Sequence, residues 1–171
     1  MRARAEAIIA GTGTILADNP RLTARTPDGT PAARQPLRVV MGHREVPASA
    51  AITDGPGYVH LREHDPAAVL ADLAGRGIDH AMIEGGASIA TAFLAADLVD
   101  EIWLYQAPLF LGSGRHAIAD LGITTLAEAT RFRYDDRGGP AHQLLGTDAV
   151  LHLESTPTSR PETVTEHERT R

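Results

Sequence analysis

Two short segments carry residue types that can do chemistry. The first is Gly11-Thr12-Gly13-Thr14, followed by Asp18, Pro20, Leu22 and Arg25. It comes straight after the apolar run Ala7-Ile8-Ile9-Ala10, so its glycines let the main chain approach a ligand closely. The hydroxyls of Thr12 and Thr14 can donate to a phosphate or a ribose. Leu16 stands where the dinucleotide-binding fingerprint needs its last glycine, so that motif is absent. Alone, the segment reads more readily as a tight loop, plain turn chemistry after a buried strand.

The second segment is Glu84-Gly85-Gly86-Ala87-Ser88. It separates a strand-like stretch, Ile78 to Ile83, from a run in which Ile89, Ala92, Phe93 and Ala96 recur at helical spacing. A helix N-terminus presents unpaired N–H groups and the positive end of its dipole, and glycines there suit a pyrophosphate. Ser88 either adds a hydroxyl to such a site or simply caps the helix. Glu84 falls at the carboxyl end of the strand, where open α/β sheets collect their ligand-contacting residues.

Absences remove other chemistries. The chain has no cysteine, which excludes disulfides, thiolate metal sites and a cysteine nucleophile. All 16 basic residues are arginine, which excludes a Schiff-base lysine and the P-loop lysine. The 8 histidines form no HExxH pair and no close cluster along the chain, so no metal site is expected. Gly112-Ser113-Gly114 lacks the strand-to-helix context of a nucleophile elbow. A net charge of −6 and few aromatics argue against nucleic acid as a partner. No apolar run spans a bilayer or forms a signal peptide, so the expected compartment is the cytoplasm, with no membrane partner.

The elements that must position these segments follow from periodicity. Ala7–Ala10, Leu37–Met41 and Tyr58–Leu61 read as strands, with a long Pro-, Thr- and Asp-rich connection from Arg25 to Pro36. Asp65-Pro66 reads as a helix start, and Gly75 and Gly77 as its end. Glu101 to Gln106 reads as a further strand. Strands alternating with short helices predict an α/β domain with a mainly parallel sheet flanked by helices. The short strand candidates Phe132–Asp135, Gln143–Leu145 and Val150–Leu153 predict antiparallel pairing near the C-terminus. One domain over residues 1–154 is expected, with 155–171 as a disordered tail.

Taken together, Arg4-Ala5 and Ala7–Ile9, GTGTILADNPRLTAR from Gly11, QPLRVV from Gln35, IEGGASIATAFLAADLVDE from Ile83 and the Ala107–Gly112 segment resemble one family. It is the reductase domain of the bifunctional bacterial riboflavin-biosynthesis deaminase/reductase, which has a dihydrofolate-reductase-like fold. The resemblance covers residues 2–153 or so, in the expected order. It implies that NADPH reduces the ribosylamino group of a phosphorylated aminouracil, giving 5-amino-6-(5-phosphoribitylamino)uracil. It also implies a homodimer.

By position, the resemblance makes Thr14 and Asp18 cofactor contacts, with Gly86, Ala87, Ser88, Ile89, Ala90, Thr91 and Ala92 as the cofactor-binding turn and helix. Arg2, Leu22, Arg25 and Glu84 become substrate contacts, the arginines suiting the 5-phosphate. His43 matches a cofactor position, and the charge of Arg44 beside it suits the 2′-phosphate of NADPH. Asp18 and Glu84 are the carboxyl groups available for catalysis.

The chain also departs from the family pattern. It opens inside what should be a helix, without the family's first strand, its lysine or its Ser-x-Asp-Gly loop. The expectation is therefore an N-terminally truncated domain: a fragment, a misassigned start or a degenerate paralogue with weakened activity. The deaminase's zinc motif is absent. Two rival functions stay open: a non-catalytic nucleotide-binding module, and a related reductase acting on a pterin or diaminopyrimidine.

Overall fold

All five residues of Ala7–Gly11 (β1) are apolar or glycine and all are buried, as in a strand paired on both edges and covered on both faces. β1 pairs in parallel with Leu37–Met41 (β2) on one side and Ala81–Ile83 (β4) on the other. Tyr58–Leu61 (β3) extends the sheet beyond β2, giving the parallel order β3-β2-β1-β4. The structure is a computed structural model that describes residues 1–55, 57–137 and 139–156. These fall into two compact units, Met1–Leu98 with Leu111–Glu128, and Val99–Phe110 with the residues from Ala129 onward.

In the first unit, alternation along β1 turns Ile8 and Ala10 into a cluster with Ile15, Leu22, Val40 and Ile52, all essentially unexposed. Among the described residues, the α-helices of this unit are Thr12–Asp18 (α1), Pro66–Gly75 (α2) and Ala87–Ala95 (α3). α2 begins as its sequence predicts. The Asp65 carboxylate accepts from the Ala67 N–H at 3.0 Å, Pro66 occupies the first turn, and Gly77 follows at φ +74°. Pro66, Val69 and Leu73 of α2 and Phe93 of α3 are buried. Among the described residues no helix is long and apolar enough to cross a membrane.

Three local expectations change. The Gly-Thr-Gly-Thr segment, expected as a tight loop, enters α1 directly, because burial of Ile15 outweighs the poor helix propensity of its glycines and threonines. The strand expected from Ile78 begins only at Ala81; before it, the His80 carbonyl accepts the N–H groups of Glu6 and Ala7. The expected tail began at 155, yet Ser155 ends the last strand; residues 157–171 lie outside the described residues.

The second unit is an antiparallel sheet, the predicted C-terminal arrangement with one addition. Glu101–Gln106 (β5), Phe132–Tyr134 (β6), His142–Leu145 (β7) and Asp148–Ser155 (β8) form it, with β8 central between β5 and the β6/β7 edge. β5 thus leaves the parallel sheet that alternation alone suggested. Cross-strand register puts Trp103 opposite His152, and their rings stack 4.0 Å apart. The His152 Nε2 meets the Glu101 carboxylate and lies 3.8 Å from Asp135 Oδ2.

This gathers a histidine and two carboxylates, whose nearest donor atoms lie within 4.8 Å, from positions too far apart for spacing to reveal. The Asp135 charge is already met by arginine. Arg137 reaches both oxygens of Asp135, at 2.9 and 3.3 Å, and also Glu154, which Arg133 pairs from the other side. The Arg137 guanidinium and main-chain N–H hold the Asp135 carboxyl well below its ordinary range, at about 2. An acid held down in the folded state stabilises it above the unfolded value near 4, and that stability is lost as pH falls toward 2. The single tryptophan, Trp103, reports on this cluster. Acid titration followed by its fluorescence is expected to show unfolding between about pH 4 and 2, with a shallower slope in Asp135→Asn; equal slopes would show that Asp135 is not the group responsible.

Candidate active site at the carboxyl ends of the parallel strands

The parallel register sets Ile9 of β1 beside Ile83 of β4, and the Glu84 N–H continues the ladder to the Ile9 carbonyl at 2.9 Å. The two segments singled out in the sequence therefore leave neighbouring strands side by side. Gly85 and Gly86 turn the chain at φ +89° and +87°, backbone that side chains rarely adopt. A Cβ on Gly86 would lie 3.0 Å from Thr14 Oγ1, and one on Gly85 3.0 Å from Thr14 Cγ2. Thr14 is thus packed against the double-glycine turn.

α3 starts immediately after that turn. Gly86 is its N-cap and no side chain caps it; Ser88 does not serve as the cap. The Ile89 and Ala90 N–H groups donate to the Gly86 carbonyl at 3.1 and 3.2 Å, which leaves those of Ala87 and Ser88 as the donors, with the positive end of the dipole, at this end of the helix. α3 also comes close to β1, since a Cβ on Gly11 would lie 2.8 Å from Ile89 Cγ1. Ala87, Ala90 and Ala92 are half-buried along the helix and Ser88 is exposed. The Thr91 hydroxyl accepts the Ala119 N–H at 2.7 Å and so anchors the 111–128 segment.

Asp18 is the last residue of α1, exposed, and four residues after Thr14, so the two share one helix face. Arg44 follows β2, and its Nη2 lies 2.7 Å from where a Cβ of Gly13 would be. It therefore reaches back over the start of α1. His43 beside it contacts the ring of His64 edge-on, centroids 4.6 Å apart. His64 had no spacing signal, because it is brought in by the loop after β3.

A second group forms around Glu84. Arg2 donates from Nε to Glu84 Oε2 at 2.7 Å and from Nη2 to Oε1, while Nη1 donates to the Thr23 carbonyl at 3.0 Å. The carboxylate raises the proton affinity of the guanidinium against its partial burial. Gln35 grips Ala24 from both sides, accepting its N–H and donating to its carbonyl, each at 2.9 Å. Gln35 was missed as a site residue, although a polar side chain just before an apolar strand was the available signal. Arg25 follows this clamped residue and is exposed. Leu22 is 2% exposed at φ +51°, so any substrate contact there is made by main chain.

The family model described as RibD C-terminal domain matches residues 1–138. The chain belongs to that family. It is 42% identical to the riboflavin biosynthesis protein RibD of Mycobacterium tuberculosis over 153 residues, 89% of this chain and 43% of the relative. Among solved structures it is similar to Acinetobacter baumannii RibD, with a TM-score of 0.77 and 30% identity over 91% of this chain and 48% of that one. The fold also matches a Thermotoga maritima protein described as a diaminohydroxyphosphoribosylaminopyrimidine deaminase/5-amino-6-(5-phosphoribosylamino)uracil reductase, at TM-score 0.73 and 21% identity over 91% of this chain and 47% of that one. The chain spans less than half the length of these three proteins. As a RibD C-terminal domain it has the dihydrofolate-reductase-like fold that the resemblance implied.

The turn geometry makes a direct prediction. Gly86→Ala imposes a side chain on positive-φ backbone and crowds Thr14, at an expected cost of about 1–3 kcal/mol. In thermal melts, Thr14→Ala in the same chain is expected to return only part of that loss. A Gly86→Ala protein that melts like the parent would show that the turn carries no strain.

Proposed function

We propose that this chain is the reductase part of a riboflavin-pathway enzyme, using NADPH to reduce 5-amino-6-(5-phosphoribosylamino)uracil to its ribitylamino product. The observation that carries the reading is the uncapped α3 N-terminus behind two positive-φ glycines, with the Thr14 hydroxyl packed against them. Any side chain at Gly86 would fill the approach that a pyrophosphate needs, so the residues present fit the group. NADPH supplies the hydride when bound.

The protein's own part is to bind, orient and handle protons. The free first-turn N–H groups of Ala87 and Ser88 and the Thr14 hydroxyl hold the pyrophosphate, with Ile89, Ala90, Thr91 and Ala92 continuing the helix behind them. Arg44, with His43, takes the 2′-phosphate at the edge of β2. Arg25 takes the substrate phosphate, Leu22 main chain lies along the substrate, and Glu84 and Asp18 are the carboxyl groups that orient the reacting end and pass its proton. The apolar residues exposed on β5 and β7, Leu104, Tyr105, Leu144 and Leu145, support a second copy of the chain as partner.

Cofactor fluorescence titration tests the reading. Gly86→Val is expected to weaken NADPH binding at least tenfold, about 1.4 kcal/mol. Arg44→Ala should narrow the preference for NADPH over NADH while leaving NADH affinity near its parent value. If the folded Gly86→Val protein binds NADPH as tightly as the parent, the cofactor lies elsewhere.

A further inference from the structure

The resemblance treats Arg2 and Arg25 alike, as two arginines on one phosphate, whereas the structure engages them differently. Each nitrogen of the Arg2 guanidinium donates once inside the protein, two to the oxygens of Glu84 and one to the Thr23 carbonyl, so three of its five N–H groups are engaged and its charge is met by Glu84. Both side chains are about two-thirds covered, at 35% and 31% exposure. The pair is neutral as a unit. Drawing Arg2 away toward a phosphate would break all three bonds and leave Glu84 unpaired beside an incoming dianion.

Arg25 is the opposite case. Among the described residues its guanidinium makes no ion pair, and its side chain is exposed. Its main chain, however, is firmly held. Ala24 before it is 0% exposed and bonded through both N–H and carbonyl to Gln35, and Arg25 itself bridges to Pro31. An uncommitted guanidinium on a fixed backbone is a pre-organised anion receptor, with a planar fork suited to phosphate.

Resting on the reductase reading, we infer that the two arginines divide the work. Arg25 alone takes the anionic end of the substrate, and Arg2 is a positioning residue that acts through Glu84. The fork from Arg2 fixes both oxygens of Glu84, so that their remaining lone pairs point in one direction toward the substrate's polar groups. The Arg2 bond to Thr23 ties that carboxylate to the loop that carries Arg25 two residues later. Glu84 and the phosphate receptor are thereby held in one frame.

Calorimetric titration of the 171-residue chain with ribose 5-phosphate and with ribose separates the roles. Arg25→Gln is expected to weaken ribose 5-phosphate at least tenfold and leave ribose unchanged. Arg2→Gln should change both ligands by the same factor, within about twofold. Arg2→Lys, which keeps the charge, carries the same comparison if Arg2→Gln fails to fold. In turnover of the aminouracil, Arg2→Gln should lower kcat with little change in KM, and Arg25→Gln should raise KM. Selective loss of the phosphorylated ligand in the Arg2 variants overturns the division, as does a parent chain that binds ribose 5-phosphate no better than ribose. A parent that binds ribose 5-phosphate but not NADPH would sink the reductase reading and leave the division standing.

Discussion

The site depends on one constraint: β1 is held in parallel register between β2 and β4. Parallel pairing makes all three strands end on the same side, and the Ile9–Ile83 register aligns the two glycine-bearing segments at that edge. Burial enforces the register, because every residue of β1 is enclosed and a slip by one would turn Ile8 and Ala10 out of their cluster. With β1 fixed, α1 and α3 start where they must. Thr14 then meets Gly85 and Gly86, and Arg44 from the end of β2 reaches over Gly13.

Within this frame the chemistry is electrostatic and comes from both main chain and side chains. The start of α3 offers partial positive charge without any mobile side chain. The Arg2–Glu84 fork offers a carboxylate whose orientation is set before a ligand arrives. The antiparallel unit has its own charged cluster, in which Arg133 and Arg137 compensate Asp135 and Glu154. Its balance concerns the stability of that sheet, and none of the residues assigned to cofactor or substrate lies in it.

How much of this was legible in the sequence follows from how local each signal is. The Asp65-Pro66 start of α2 and the strand, glycine turn and helix around Glu84 were read correctly, because capping and turn chemistry act over a few residues. Gly11–Thr14 was misread as a loop, since its helix is stabilised by burial of Ile15, a tertiary effect that outweighs propensity. The pairing of β5 was hidden for a related reason: an apolar strand looks alike in parallel and antiparallel sheets, and its partner β8 lies about 50 residues on. The Arg2–Glu84 pair joins residues 82 apart, and His152 meets Glu101 across 51. Spacing carries no information at such separations. The resemblance supplied Arg2, Arg25 and Glu84 as a group, whereas their mutual bonding emerged only from the fold.

On the proposed function, the nicotinamide cofactor binds at the carboxyl edge of the parallel sheet, at Thr14 and the Gly85-Gly86 turn. Amide chemical-shift mapping of the labelled 18.2 kDa chain during NADPH titration tests it most directly. Shifts are expected at Gly13, Thr14, Gly85 to Ile89 and Arg44, growing together along one binding curve. Saturation with shifts confined to the β5–β8 sheet, or no shifts at any of these amides, would contradict it.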